Sequence, residues 1–199
     1  MRTKLFSLAV ACLASIGSIL GQAGGTLSNK SGLYMTVSDF SSGRLAYEIN
    51  CLTEKHKIKI SDFLDSKTVK VTHRDSTIKL TKSSIWGFRL CDGKEYRIYQ
   101  DKEYLIIDKG AITVYQITVK SSTNPRSNQT VTKTKYFFSE DVGSPLKELT
   151  LKNVETSFIS NKKFHDLIDL QFKSDAELLI YDDYYKMLRL NHIYNESLK

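Results

Sequence analysis

The stretch from Cys91 to Ile117, CDGKEYRIYQDKEYLIIDKGAITVYQI, constrains the fold more than any other. It holds three runs of alternating side chains, set off by Asp92-Gly93, Gln100-Asp101 and Lys109-Gly110. A period of two turns one face to a core and the other to water. Runs this short, joined by dipeptides that favour tight turns, return on themselves as antiparallel hairpins. Asp92-Gly93 suits a primed turn, and Lys109-Gly110 is a weaker version of it.

The same alternation spans Leu33 to about Ser139. Lys57-Ile58-Lys59-Ile60, Val69-Lys70-Val71 and Ile78-Lys79-Leu80 put lysines on a wet face and aliphatics on a core face. Ile85–Leu90, Tyr96–Tyr99, Tyr104–Ile107, Ile112–Val119 and Thr130–Phe138 continue the series. Eight to ten such strands do not stay flat, so the meander is expected to close into a barrel or fold into two layers. Lys120–Asn128, KSSTNPRSN, reads as a protruding hairpin loop.

After Gly143-Ser144-Pro145 the period changes. Thr150 reads as an N-cap, with Leu151, Val154 and Phe158 at helical spacing. Phe164, Leu167, Ile168 and Phe172 share one face of a second helix, about 162–172. Ser174 and Glu177 form a capping-box pattern that opens a third and longest helix, to about Asn195. Strands followed by helices make an α+β chain. The organisation expected is a signal peptide at 1–23, an antiparallel β region at 24–144 and a helical region at 145–199 packed on it as a single domain.

The N-terminus supports the first of these. Arg2 and Lys4 precede an uncharged apolar run, Leu5–Leu20, and Gly21-Gln22-Ala23 offers a small-residue cleavage site. That is the pattern of a secretory signal; a retained anchor, or a lipoprotein through Cys12, are the alternatives. The mature chain carries no other stretch long enough to span a membrane. Removing Arg2 and Lys4 lowers the formal charge from +7 to +5. The helical region is nearly neutral, so the basic excess sits on the β part. Alternating lysines serve there first to keep strands soluble and edges unpaired, and no nucleic-acid partner is expected.

Export leaves two cysteines, Cys51 and Cys91, as a disulfide candidate in an oxidising compartment. Two buried thiols are the alternative.

Signals for chemistry are sparse. There is no phosphate loop, no G-x-S-x-G, no H-E-x-x-H and no paired C-x-x-C. His165 and Asp169 stand four apart on a helix and read as a surface pair. Asp182-Asp183 among Tyr181, Tyr184 and Tyr185 reads as the solvated edge of the third helix. No catalytic residue, metal set or cofactor is assigned. One grouping suits ligand binding. If neighbouring strands gather Arg89, Arg97, Tyr99 and Tyr115, they combine aromatic faces with directed guanidinium donors. Cross-strand stabilisation is the competing use.

SGLYMTVSDF (31–40), IWGFRLCDGKEYRIY (85–99) and KFHDLIDLQFKSDAELLIYDDYYKM (163–187) resemble segments of small secreted proteins of Bacteroidetes-type bacteria. The resemblance implies a periplasmic, envelope or extracellular location and carries no catalytic residue. The reading is an exported envelope protein with a non-enzymatic binding or accessory role, toward an envelope polymer, peptide or protein. A hydrolase of envelope polymers and a carrier of a small apolar ligand are the alternatives.

Overall fold

The alternating segments become strands. The computed structural model describes residues 29–54, 58–60, 67–73, 76–122 and 130–199. The expected signal peptide, Cys12 and most of the 120–128 loop lie outside them. The strands are β1 (Lys30–Tyr34), β2 (Ala46–Asn50), β3 (Ile58–Ile60), β4 (Thr68–His73), β5 (Ser76–Thr81), β6 (Gly87–Arg89), β7 (Glu95–Tyr99), β8 (Lys102–Lys109), β9 (Thr113–Ser122), β10 (Thr130–Ser139) and β11 (Lys147–Glu148). Eight of them form one antiparallel sheet in the order β11-β10-β9-β8-β7-β6-β1-β2, and β3-β4-β5 form a second, three-stranded sheet. The main sheet is open, which corrects the barrel expectation. Its edges are β2 and the two-residue β11. Other elements pack on parts of both faces instead.

The turns differ from expectation at both Asp92-Gly93 and Lys109-Gly110, where neither Lys109 nor Gly110 has a positive φ. Gln100 and Asp101 both have positive φ, +50° and +61°, between the paired residues Tyr99 and Lys102. That is the two-residue primed turn. At Asp92-Gly93 only the glycine does so, at +81°. There Leu90 N–H donates to the Lys94 carbonyl across a three-residue loop. Gly110 is needed for space: a Cβ there would overlap the Asn191 amide.

A short helix, α1 (Val37–Ser42), interrupts the strands. Thr36 and Asp39 cap its start reciprocally, and Gly43 at φ +69° ends it. α2 (Leu151–Ser157) starts at Thr150, whose side chain accepts from Asn153 N–H. α3 (Lys162–Gln171) starts at Asn161, which accepts from Phe164 N–H.

The third helix is not the long one expected. Residues 175–179 form a single 3-10 turn. A hairpin follows, β12 (Tyr181–Asp182) and β13 (Met187–Leu188), and α4 runs only from Arg189 to Ser197. Ser174 makes no capping bond, and Glu177 accepts from Lys173 N–H instead. Asp182 accepts from the N–H groups of Tyr184 and Tyr185. An aspartate that satisfies nearby backbone donors favours a turn over a helix interior. Asp182 and Asp183 therefore belong to a hairpin, not to a helix edge. His165 also departs from expectation: its Nε2 lies 3.1 Å from the Phe158 carbonyl oxygen, with no bond to Asp169.

Two cores result. Val114 and Phe138 on the main sheet meet Val154, Phe164, Ile168, Leu178, Leu190 and Ile193 from the helical region. Leu33, Phe88 and Ile98 on the same sheet meet Val69 and Val71 of the small sheet. Strand register places both sets on one face. Val114 and Gln116 alternate with Tyr115, and the row Gln116, Leu105, Tyr96, Phe88, Leu33 runs across paired strands. One face is thus covered by helices at one end and by the small sheet at the other.

Cys51 and Cys91 form a disulfide, with Cα atoms 5.7 Å apart. Cys51 follows β2 and Cys91 follows β6, the two neighbours of β1. The bridge therefore closes the base of the excursion that carries β3–β5.

Candidate binding cleft

Beside the small sheet, strands β6 to β9 leave a cleft of about 610 Å3. Its apolar wall is built from Phe88, Tyr96 and Leu105 on adjacent strands and Ile58 from the small sheet. Phe88 and Tyr96 are directly paired and their rings stack, with centroids 4.8 Å apart at 8°. Burial raises the Tyr96 pKa above its usual value, so its hydroxyl stays neutral at physiological pH.

The polar part of the cleft comes from β9 and the β7–β8 turn. Gln116 and Thr118 follow Val114 on the same face, where the pattern turns from apolar to polar. Neither side chain has a hydrogen-bond partner among the described residues. Lys82, only 4% exposed, pairs with Glu103 and donates to the Asp101 carbonyl at 3.0 Å. With Lys102 and Asp101 also lining the cleft, two cations meet two carboxylates and the charges cancel.

Glu103 is held by Lys82, and among the described residues no histidine, cysteine or serine lines the cleft. Among the described residues no group of three His, Cys, Asp or Glu side chains could hold a metal ion.

The arginines and tyrosines singled out from the sequence lie on the opposite face. Strand pairing gathers three of them tightly. The Arg97 guanidinium sits 5.2 Å from the Tyr99 ring centre, 5.7 Å from that of Tyr115 and 5.6 Å from that of Trp86. Arg97 is only 4% exposed and Tyr115 is fully buried. Arg97 donates to Tyr115 Oη at 3.3 Å, and Tyr115 Oη is 3.0 Å from Ser139 Oγ. The turn at 140–144 covers them: Trp86 Nε1 donates to the Val142 carbonyl, and Asp141 accepts from the N–H groups of Gly143 and Ser144.

Arg89 stands apart from that trio, beside buried Glu95. Glu95 accepts from Arg89 Nε and Nη2 and from Tyr34 Oη, and it pairs with Lys109. One carboxylate thus serves two cations. Burial and the Arg89 charge pull the Lys109 pKa down to about 8. α1 closes this side, with Phe40 stacked on Trp86 at 4.2 Å. Arg97 and Tyr115 are thus interior, while Arg89 and Tyr99 are half-buried.

Leu105, Gln116 and Thr118 went unnoticed in the sequence. The available signal was local: β9 places Ile112, Val114, Gln116 and Thr118 at alternate positions, and its core face loses apolarity midway. Among the described residues, no helix is long and apolar enough to cross a membrane. No protein-family model, no curated protein and no solved structure matches this chain.

Proposed function

We propose that this is an exported, non-enzymatic binding protein that holds a small uncharged ligand with both apolar and hydrogen-bonding groups in the cleft beside its small sheet. The observation that carries the reading is the pair Gln116 and Thr118, unpartnered beside Leu105 and Tyr96. A concavity of this size, apolar with a few convergent polar groups, is the usual form of a small-molecule site. Its balanced charges favour a neutral ligand over an anion. The apolar-carrier reading draws on the same volume but leaves two polar groups unanswered. For the hydrolase reading, the described residues of the cleft offer no free pair of carboxylates, since Glu103 is taken by Lys82. Export rests on the basic, apolar and small-residue order of residues 1–23.

The test uses Nile red, a neutral dye of suitable size, titrated into the wild type and Leu105→Arg. The expected result is saturable fluorescence enhancement at one site, weakened at least about tenfold by the substitution, or about 1.4 kcal/mol. Equal binding by both proteins, or none by the wild type, would reject the cleft. The mass of the secreted chain, starting at Gly24 or at Met1, decides the export half separately.

A further inference from the structure

We infer that the β12–β13 hairpin and the start of α4 form a second site, which binds a neutral saccharide. The hairpin displays three tyrosines within five residues. Tyr181 is 48% exposed, Tyr184 84% and Tyr185 46%. Aromatic rings left in water on a turn lose the burial that normally justifies them.

These rings are also held in place. Tyr185 stacks on His192 of α4, with centroids 3.7 Å apart at 17°. Tyr184 meets Tyr185 edge-on at 4.8 Å and 85°. Asp182 fixes the turn beneath them through both tyrosine N–H groups. The rings form a preset corner, which lowers the ordering cost of a ligand.

Beside the corner lies a depression of about 410 Å3. His192 belongs to its wall, together with Gln171, Asp182, Arg189 and Glu196. The Gln171 amide and the Arg189 guanidinium have no hydrogen-bond or ion-pair partner among the described residues. Asp182 uses Oδ1 for the turn, and no bond to a described residue takes Oδ2. Glu196 is engaged by Lys199.

A pyranose ring has an apolar C–H face and a rim of hydroxyls that donate and accept. Tyrosine covers the first. Planar carboxylate, amide and guanidinium groups answer adjacent hydroxyls in pairs. The alternatives fit less well. Arg189 is offset by Asp182, so a simple anion gains little. The helical region is nearly neutral, so it offers no basic face to a lipid surface.

The experiment is saturation-transfer NMR and calorimetric titration of the full chain with cellotetraose, chitotetraose and maltotetraose. At least one is expected to bind, with saturation passing from tyrosine ring protons. Tyr184→Ala and Tyr185→Ala together are expected to weaken it at least about tenfold. Arg189→Ala, which leaves the rings untouched, is expected to weaken it about fivefold. Leu105→Arg in the inter-sheet cleft is expected to leave it unchanged, which separates the two sites. No binding of any of the three at about 10 mM, or binding that survives both the tyrosine and arginine substitutions, would overturn the site. So would binding lost only in Leu105→Arg.

Discussion

One face of one sheet is covered in two ways, and the two ends are held by different means. Among the described residues, twelve are buried together at the helical end and six at the small-sheet end. The helical cover is sealed further by Asn191. Its Oδ1 accepts from Ile112 N–H at 2.8 Å, and its Nδ2 donates to the Ile112 carbonyl at 2.7 Å and to Asp108 at 2.9 Å. Asp108 also accepts from Leu188 N–H. The small-sheet cover is tied at its base by a covalent bridge, and the cleft opens beside it.

The comparison breaks most readily at the helical end. Phe164 is fully buried and meets both Phe158 and Tyr194 edge-on. Phe164→Ala is expected to cost about 3–5 kcal/mol, read as a shift in the urea midpoint. A loss below about 1 kcal/mol would mean that the helical cover is not where stability resides. The next effect belongs to the bridge. Cys51→Ser with Cys91→Ser opens a loop of sequence separation 40, at a cost of about 3–4 kcal/mol in the chain-entropy account. Hydrogen exchange should show it locally, with β4 and β5 losing protection while α3 and α4 keep theirs. Uniform loss across both ends would show that the two covers are one cooperative unit. Asn191→Ala strands buried groups at Ile112 and is expected to cost about 2–3 kcal/mol. Its signature is faster exchange at the β8–β9 turn.

The two ends were also unequally legible. The helical end was readable where periodicity and caps agree, as at Thr150 and in the stripe Phe164, Ile168, Phe172. It failed at 174–195, because a capping pattern and helical spacing were outweighed by Asp182 bonding its own turn. The alternating strands between Ile58 and Phe138 were readable, since alternation survives any arrangement of layers, whereas β2, β11 and the β12–β13 hairpin were not. Which layer each strand joins was not readable either: of the barrel and the layered sheet that were expected, the barrel gave way to an open sheet with a separate three-stranded partner. The disulfide followed from counting cysteines. The cleft did not follow from any motif, because it depends on how the small sheet sits beside the main one. The arginine and tyrosine cluster was foreseen as a gathering, but its burial depends on α1 and the 140–144 turn, which no alternation announces.

The smallest effect sharpens the comparison by acidity. Asp39 has a depressed pKa, first through its bond to Arg44 and then through Thr36; Asp92 is depressed first by Lys94, and Asp141 first by Ser144. All three belong to the β part. The helical region has Glu196, depressed first by Lys199. A carboxylate whose folded pKa lies below its unfolded value, near 4, stabilises the fold above that value. The contribution disappears as pH falls through the folded pKa, because the unfolded chain takes up the proton first. Asp92, Asp141 and Glu196 face solvent and Asp39 is paired with the exposed Arg44, so each contribution is modest and screened by salt. The imbalance between the ends is the measurable part. Between about pH 4.5 and pH 2.5, amides of α1, β6 and β7 are expected to lose exchange protection before those of α3 and α4. Asp39→Asn should flatten the acid response around α1 while leaving Glu196 and its helix as they were. Simultaneous loss at both ends would assign acid sensitivity to the whole sheet and remove the distinction between a packed cover and a tethered one.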